Sequence, residues 1–583
     1  MPVATSSRIS KSWGATLLDD GYWRFRLWAP DAIQVAVELP TGRTDLNRQE
    51  QGWWSLATRA KAGDSYRFLV DGAAYPDPAA RAQQGDVHGP SVLVDPDGFA
   101  WRNAWAGLPW NEAVVYELHL GTFSAEGTFT AAEAALPRLR ELGVTLVEVM
   151  PVAQFDGRHG WGYDGVLPYA PHNAYGSPDD FRRFVDTAQS LGIGILLDVV
   201  HNHLGPSGNY LAAWCPSFFH PDRSSPWGQG IAYETPAVRD FFIENALSWL
   251  AEYRLDGLRL DAVHAIEDRS AVHFLDELGQ RVRAVDWGRQ IHLVTEDERN
   301  LTGYFGKGGP FDATWNDDWH HAVHCLLTGE DEGYYAPFSI DPLADIEIAL
   351  RDGYVEQGQA RAAAQTLRGE PSSGLPRTAF LNFLGNHDQA GNRAQGERLH
   401  QLVTDRMALE VVTALTLLSP YVPMIFMGDE FLTDAPFLFF ADFTGDLAEA
   451  VRKGRAEEFA QFPAFGGRVP DPIAAGTFAA CKIGSAERED QRRHEQFVRH
   501  LLALRKAHLV PLLEITTHPE VRVRRDGPLV EVSWGFGIAR LSLRAFLSSQ
   551  TPGTARFRPH DDPILAVTSP DSPFAFSAAI ERD

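Results

Sequence analysis

From about residue 110, short apolar runs alternate with stretches whose apolar residues recur at helical spacing. VVYELHL (Val114–Leu120) precedes AAEAALPRLRELG (Ala131–Gly143), and TLVEVMPV (Thr145–Val152) precedes DDFRRFVDTAQSLG (Asp179–Gly192). IGILLDVV (Ile193–Val200) leads to FFIENALSWLAEY (Phe241–Tyr253), and GLRLDAV (Gly257–Val263) to FLDELGQRVRAV (Phe274–Val285). IHLVTED (Ile291–Asp297), ATWND (Ala313–Asp317), AFLNFLGNHD (Ala379–Asp388) and VPMIFMGDE (Val422–Glu430) complete the series. Strands that are nearly all apolar, with helices between them, predict a parallel sheet buried on both faces. Eight such units predict a (β/α)₈ TIM barrel. An open doubly wound sheet is the rival, but its Gly-rich phosphate turn is missing.

The flanks follow a different rhythm. YWRFRLWAP (Tyr22–Pro30), IQVAVELP (Ile33–Pro40), GWWSLAT (Gly52–Thr58) and SYRFLVDG (Ser65–Gly72) alternate with period two between Gly, Pro and Asp. They predict a small β-sandwich, and Asp77–Gly98 a long loop leaving it. Glu514–Ser549 again alternates. The expected layout is an N-terminal β-sandwich over 1–105, a barrel with inserted loops over 106–509 and a C-terminal β-sandwich domain over 510–583.

Charge narrows the function. With 52 Lys+Arg against 77 Asp+Glu, the net charge is −25. Such a surface repels phosphate backbones and anionic headgroups, so neither nucleic acid nor membrane is an expected partner, while a neutral substrate is unaffected. No window offers about 18 uninterrupted apolar residues for a membrane span, and MPVATSSRISKSWGATLLDDGYW lacks a signal-peptide core. Cys215, Cys325 and Cys481 match no zinc spacing and cannot all pair. Reduced thiols in a cytoplasmic protein are the expectation. The 16 Trp keep sugar stacking in view.

The polar residues fall at strand ends: Asp198, Asp261, Glu296, Asn316 and Asp317, Asn386 to Asp388, Asp429 and Glu430. In a barrel those ends share one face, the face that carries active sites. Singly, each reads equally well as a helix N-cap; together they predict a site. In GLRLDAVH, Arg259 and Asp261 are two apart and project together. A guanidinium beside a carboxylate keeps it ionised, as a glycosidic nucleophile requires, although a structural salt bridge explains the same spacing. Glu296 ends the next strand, close enough for the roughly 5–5.5 Å carboxylate separation of a retaining glycosidase. A Glu facing other carboxylates is pushed toward the protonated form that a general acid needs. Asp297 and Glu298 compete, but alternation turns Asp297 away. Asp388 and His387 follow the seventh strand, Asp198 and His203 the third. His-x-His lacks a third ligand in catalytic geometry, so neither metal nor cofactor is expected, and no G-x-S-x-G elbow points to a serine nucleophile.

DVVHNH (Asp198–His203), GLRLDAVH (Gly257–His264), LVTED (Leu293–Asp297) and GNHD (Gly385–Asp388) resemble, in order, the four signature regions of the α-amylase superfamily of glycoside hydrolases. WGYDGVLPYAPHNAYG (Trp161–Gly176) is similar to its aromatic loop, and RFRLWAP to the β-module of branching and debranching enzymes. YELHLGTFSAEGTF (Tyr116–Phe129), TEDERN (Thr295–Asn300) and WNDDWHHAVHCLLTGEDEGYY (Trp315–Tyr335) resemble the malto-oligosyltrehalose trehalohydrolase family.

The resemblance implies Asp261 as nucleophile, Glu296 as acid/base and Asp388 as transition-state stabiliser. It places Tyr163, Asp198, His203, Arg259, His264 and His387 around the reacting glucose. The leaving trehalose is expected to meet some of Trp315, Asp317, Asp318, Asp297, Glu298 and Gln389, with Arg393 orienting them. Asn202 stands where the superfamily often has a calcium ligand, but no further oxygen set accompanies it. His201 replaces an aromatic residue common in related sequences, an expected effect on packing. The implied substrate is maltooligosyltrehalose, taken by a monomer. A glycogen branching enzyme and a non-catalytic glycan-binding protein are the alternatives; the 315–335 segment argues against the first and the three carboxylates against the second.

Overall fold

The computed structural model describes residue 9 and residues 11–225, 228–364, 366–460, 469–548 and 557–582. Residues 1–8 and Ser10 of the N-terminal stretch, and Ser549, which ends the last alternating run, lie outside that set. All eight apolar runs are strands: β1 Val115–Leu118, β2 Leu146–Val149, β3 Gly194–Val199, β4 Gly257–Leu260, β5 His292–Thr295, β6 Ala313–Trp315, β7 Phe380–Phe383 and β8 Val422–Phe426. They pair in chain order, every neighbour parallel, and β8 closes on β1. Val115, Leu146, Leu196, Val294, Ala313, Leu381, Val422 and Met424 fill the lower interior, so the barrel is a packed core rather than a pore.

The N-terminal strands form a four-stranded and a five-stranded antiparallel sheet, as the alternation predicts. Trp23, Trp28, Trp53 and Trp54 are buried in their core instead of standing on a glycan-facing surface. Strands Gly14–Leu17 and Gly42–Asp45 add to the four runs read from sequence. The Asp77–Gly98 loop is largely a packed connector, with Asp77, Arg81, Gln83 and Ser91 buried.

The module is clamped to the barrel helix Pro236–Glu252. Lys11 and Arg81 reach Glu252 at 2.7 and 3.3 Å, Ser12 binds Glu244, and Trp13 Nε1 donates to the Ala237 carbonyl. This explains a helix that is buried on nearly every face: barrel on one side, module on the other.

At the other end, Glu520–Asp526, Leu529–Gly535, Ala539–Phe546, Leu565–Thr568 and Ala575–Arg582 make one five-stranded antiparallel sheet. Among the described residues its partner layer is two helices, Arg406–Leu418 against the last three strands and Pro342–Asp352 against the first two, where the sequence had predicted a facing sheet. Alternation reveals one buried face but not what buries it. Arg505 closes the first of those helices, donating to the carbonyls of Leu417 and Ser419, which the helix end leaves without intrahelical partners, and to that of Tyr421 just before β8.

Candidate active site

Above the apolar floor the inward-facing positions turn polar. Two residues after Val115, Leu146, Leu196 and Val294 come Glu117, Glu148, Asp198 and Glu296. Arg259, on β4 and wholly buried, is their hub. Its Nη1 donates to Asp198 Oδ2 at 2.5 Å and to Asp261 Oδ1 at 2.9 Å, and its Nη2 to Glu296 Oε2. Its guanidinium lies 4.0 Å from the Trp315 ring centroid, a cation–π contact in a desolvated setting.

Strand register brings the carboxylates together. Leu260 pairs with Thr295, so Asp261 and Glu296 are each the next residue on adjacent strands. The chain then turns at Ala262, a non-glycine residue in the left-handed region (φ 41°), a strain of the kind found at functional sites. That turn aims the Ala262 N–H at Glu296 Oε2, 3.0 Å away. With Arg259 and Ala262 both on Oε2, Glu296 Oε1 is left to carry a proton. Asn202 gives its Nδ2 to Asp261 Oδ2 at 2.8 Å and to the Asp261 carbonyl at 2.9 Å. Its amide therefore orients the nucleophile candidate, where the resemblance suggested a metal ligand. Among the described residues no three His, Cys, Asp or Glu side chains are grouped to hold a metal ion.

His387 forms the opposite wall. Its Nδ1 meets Glu117 Oε1 at 2.6 Å, its Nε2 lies 2.9 Å from the Tyr163 hydroxyl and 3.4 Å from Asp388 Oδ1, and its ring stacks on Tyr163. Tyr163 also donates to Asp198 Oδ2 at 2.7 Å. Its loop is set by Gly162, at φ 103°, where a Cβ would lie 2.0 Å from the Pro151 carbonyl oxygen; only glycine fits. His203 Nε2 lies 3.0 Å from the Tyr163 carbonyl oxygen. Asp388 is the most open of the three acids, at 34% side-chain exposure against 12% for Asp261 and 19% for Glu296.

Burial raises Glu296 above the usual carboxylate range; Arg259 opposes the shift and Asp261 adds to it. Burial likewise raises Asp388, with His387 opposing. Asp198 and Asp317 are each pushed up to about 7, by burial first; Asp261 adds to the former, Glu296 and Asp388 to the latter. Burial lowers His203 to about 4, leaving it neutral. Burial also opposes charge on His387, but Asp388 and Glu117 outweigh it and raise the ring to about 9.

A histidine with a raised folded pKa adds stability that is complete below about 6.5 and is lost as pH rises through about 9. Glu117→Gln should lower the His387 ring titration by more than one unit, as read by NMR of labelled histidine. A ring still titrating near 9 would assign the stabilisation to Asp388 alone.

The outer positions depart from expectation in three places. Trp315, expected against the leaving sugar, is 2% exposed and packs beneath Arg259 and His387. Arg393 is turned onto Glu330, with both terminal nitrogens at 2.9 Å, and so does not orient Asp317 or Gln389. The cation that opposes the upward shift of Asp317 is Arg368, which sequence reasoning missed; it binds the neighbouring Asp318 at 2.6 Å and the Glu298 carbonyl. Gln389 Nε2 donates to Asp317 Oδ1 at 3.3 Å. His264 sits on the rim, 3.8 Å from the exposed Glu298, while Asp297 is turned aside onto Arg299. His201 is buried on Asn245 and against Phe242, a packing role as expected. Glu117, Glu148 and Asn202 are the further polar groups of this region. The signal for the two Glu was present: an acid inside a strand buried on both faces needs a reason.

Comparison with known proteins agrees with this geometry. Residues 119–215 match the α-amylase catalytic domain family, and residues 12–96 match carbohydrate-binding module 48, the isoamylase N-terminal domain. A malto-oligosyltrehalose trehalohydrolase from Deinococcus radiodurans is 41% identical over 94% of this chain and 91% of its own length. One from Saccharolobus solfataricus is 38% identical over 85% and 87%. A branching enzyme from Xanthomonas oryzae matches at 30% over only 51% of this chain and 49% of its own. A crystal structure from Salmonella typhimurium, described as a candidate alpha amylase, superposes with TM-score 0.92 at 45% identity, covering 98% of this chain and all of that one. An Anoxybacillus pullulanase shares the fold alone, at TM-score 0.69 and 16% identity over 98% of this chain and 87% of that one. With its barrel, its module and its strand-end acids in place, this chain belongs to the malto-oligosyltrehalose trehalohydrolase family, built on the α-amylase catalytic fold.

Proposed function

We propose that this protein hydrolyses the α-1,4-glucosidic bond between a maltooligosaccharide and its terminal trehalose, releasing both. The observation that carries the chemistry is one buried guanidinium, Arg259, gripping Asp261 and Glu296 side by side at the end of adjacent strands. Carboxylates bridged this way stand as neighbours, the arrangement of a retaining rather than an inverting site.

The reaction runs in two displacements. Asp261 attacks the anomeric carbon while the proton on Glu296 passes to the glycosidic oxygen, and trehalose leaves. Glu296, now a carboxylate, takes a proton from water as the water attacks the glycosyl ester, and Asp261 is restored. Asp388, beside the His387 cation, grips sugar hydroxyls as the ring flattens toward the oxocarbenium ion. Tyr163, Asp198, His203 and Arg259 shape the subsite of the reacting glucose, and His264 lies on its rim. The single chain supplies every one of these groups, which supports a monomer. Three free, buried thiols support a reducing, cytoplasmic setting.

Trehalose is bent and non-reducing at its 1,1-linkage, so a polar pocket can tell it from maltose. A site built to hydrogen-bond a sugar rejects one that leaves its buried groups unpaired. We assign this role to Asp317 and Gln389; their bond to each other and the electrostatic influence of Glu296 and Asp388 on Asp317 support it. In Asp317→Ala and Gln389→Ala, kcat/KM for maltotriosyltrehalose should fall at least about tenfold more than for maltopentaose. Equal losses would move the selectivity elsewhere. Incubation of the wild-type protein with maltooligosyltrehalose and, separately, with amylose tests the activity itself. Free trehalose from the first supports it; new branches in the second would indicate a transglycosylase, and no product from either a non-catalytic binder.

A further inference from the structure

Glu148 is a carboxyl group without a cation. It faces into the barrel from β2, 1% exposed, between two other acids on adjacent strands: Glu117, its register partner on β1, and Asp198 on β3. Each of those neighbours has a cation of its own. Glu117 holds His387, and Asp198 holds Arg259. Neither oxygen of Glu148 has a hydrogen-bond partner, and Asp198 Oδ1, Arg259 Nε and Trp315 Nε1 are likewise buried and unpartnered. Unpaired buried polar atoms are costly, and several inside one barrel, above its apolar floor, mark a place for ordered water. Ionised, Glu148 and Asp198 present three of these oxygens, all acceptors, on adjacent strands. A proton on Glu148 turns one of them into a donor.

We propose that Glu148 is a neutral carboxylic acid whose hydroxyl donates, through buried water, to Asp198 Oδ1, and that it is thereby a positioning residue for Arg259. Asp198 and Arg259 share the 2.5 Å contact on which Asp261 and Glu296 also depend. A fixed Asp198 leaves the guanidinium one orientation; an Asp198 with a free oxygen allows it to swing. Burial, with Glu117 and Asp198 adding to it and Arg259 and His387 opposing, raises the Glu148 pKa in the sense the arrangement requires. The inference rests on the catalytic roles proposed for Asp261 and Glu296, but its first test does not.

Infrared difference spectra of the resting enzyme, wild type against Glu148→Gln, should show a protonated-carboxyl C=O band that persists across pH 6–8. A carboxylate band alone would overturn the proposal whatever the enzyme's activity. Kinetics supply the second test. Glu148→Gln keeps a neutral donor of the same shape and should retain kcat within about threefold, with an unshifted pH profile. Glu148→Leu removes the donor and should lower kcat at least about tenfold with KM little changed, in a protein of native thermal stability. Full activity in Glu148→Leu, or equal losses in both variants, would reduce the residue to packing or to an ionised role and refute the positioning.

Discussion

Asp261→Ala and Glu296→Gln should each lose about 10⁴-fold or more in kcat while keeping the fold, because both act on reacting atoms and neither fills the core. The two losses should differ in how they are repaired. Azide entering the cavity of Asp261→Ala attacks the sugar directly and gives a glycosyl azide of inverted, β configuration. In Glu296→Ala the glycosyl ester still forms with an activated leaving group, and azide then gives the retained α product. Product configuration therefore separates nucleophile from acid/base, where activity alone cannot. For the wild type, NMR of the first-formed maltooligosaccharide should show the α-anomer. Initial β-anomer would refute the double displacement, and rescue of the wrong configuration would exchange the two assignments.

Arg259→Met should be the most damaging single change outside the reacting acids. It leaves Asp198, Asp261 and Glu296 buried together without their shared cation. Breaking a buried ion cluster on one side costs about 3–5 kcal/mol, since the remaining charges stay desolvated. Activity should fall by about 10²–10³-fold, the scale of losing one preorganised donor to the site. The pH dependence identifies the cause. Asp198 is already pushed up to about 7 with Arg259 present. Without that cation it binds its proton at higher pH still, and lowering the pH relieves the repulsion. The stability deficit, read from urea midpoints, should therefore shrink from pH 8 to pH 5. A deficit equal at both would mean lost packing, with the Trp315 ring left uncovered, rather than lost neutralisation.

The pattern along the chain was enough for the barrel. An apolar run cannot be exposed, and eight such runs with helices between them leave few ways to bury both faces of a sheet. The strand-end acids were legible for the same reason: Asp261 and Glu296 stand where apolar strands break into polarity, and Arg259 lies two residues before Asp261 on one face. Local order also fixed helix Pro178–Ser190, whose Ser177–Asp180 capping box is written in adjacent residues.

Only the tertiary structure decided what depends on residues far apart in the chain. Asp388, the next residue in the chain, and Glu117, 270 positions away, together raise the His387 ring, and only the fold brings Glu117 against it. Asn202 serves Asp261 because β3 and β4 are neighbours in this register, which the sequence of the Asn202 segment alone does not state. Arg393 follows the polar NHDQ cluster and Arg368 a largely apolar run, and neither setting names the partner; loop packing sends the first to Glu330 and the second to Asp318. The C-terminal alternation told of one buried face, but two helices rather than a sheet cover it among the described residues. Periodicity is set by the backbone within a few residues of each position. Partner choice is set by which strands close the barrel, and that is a property of the whole chain.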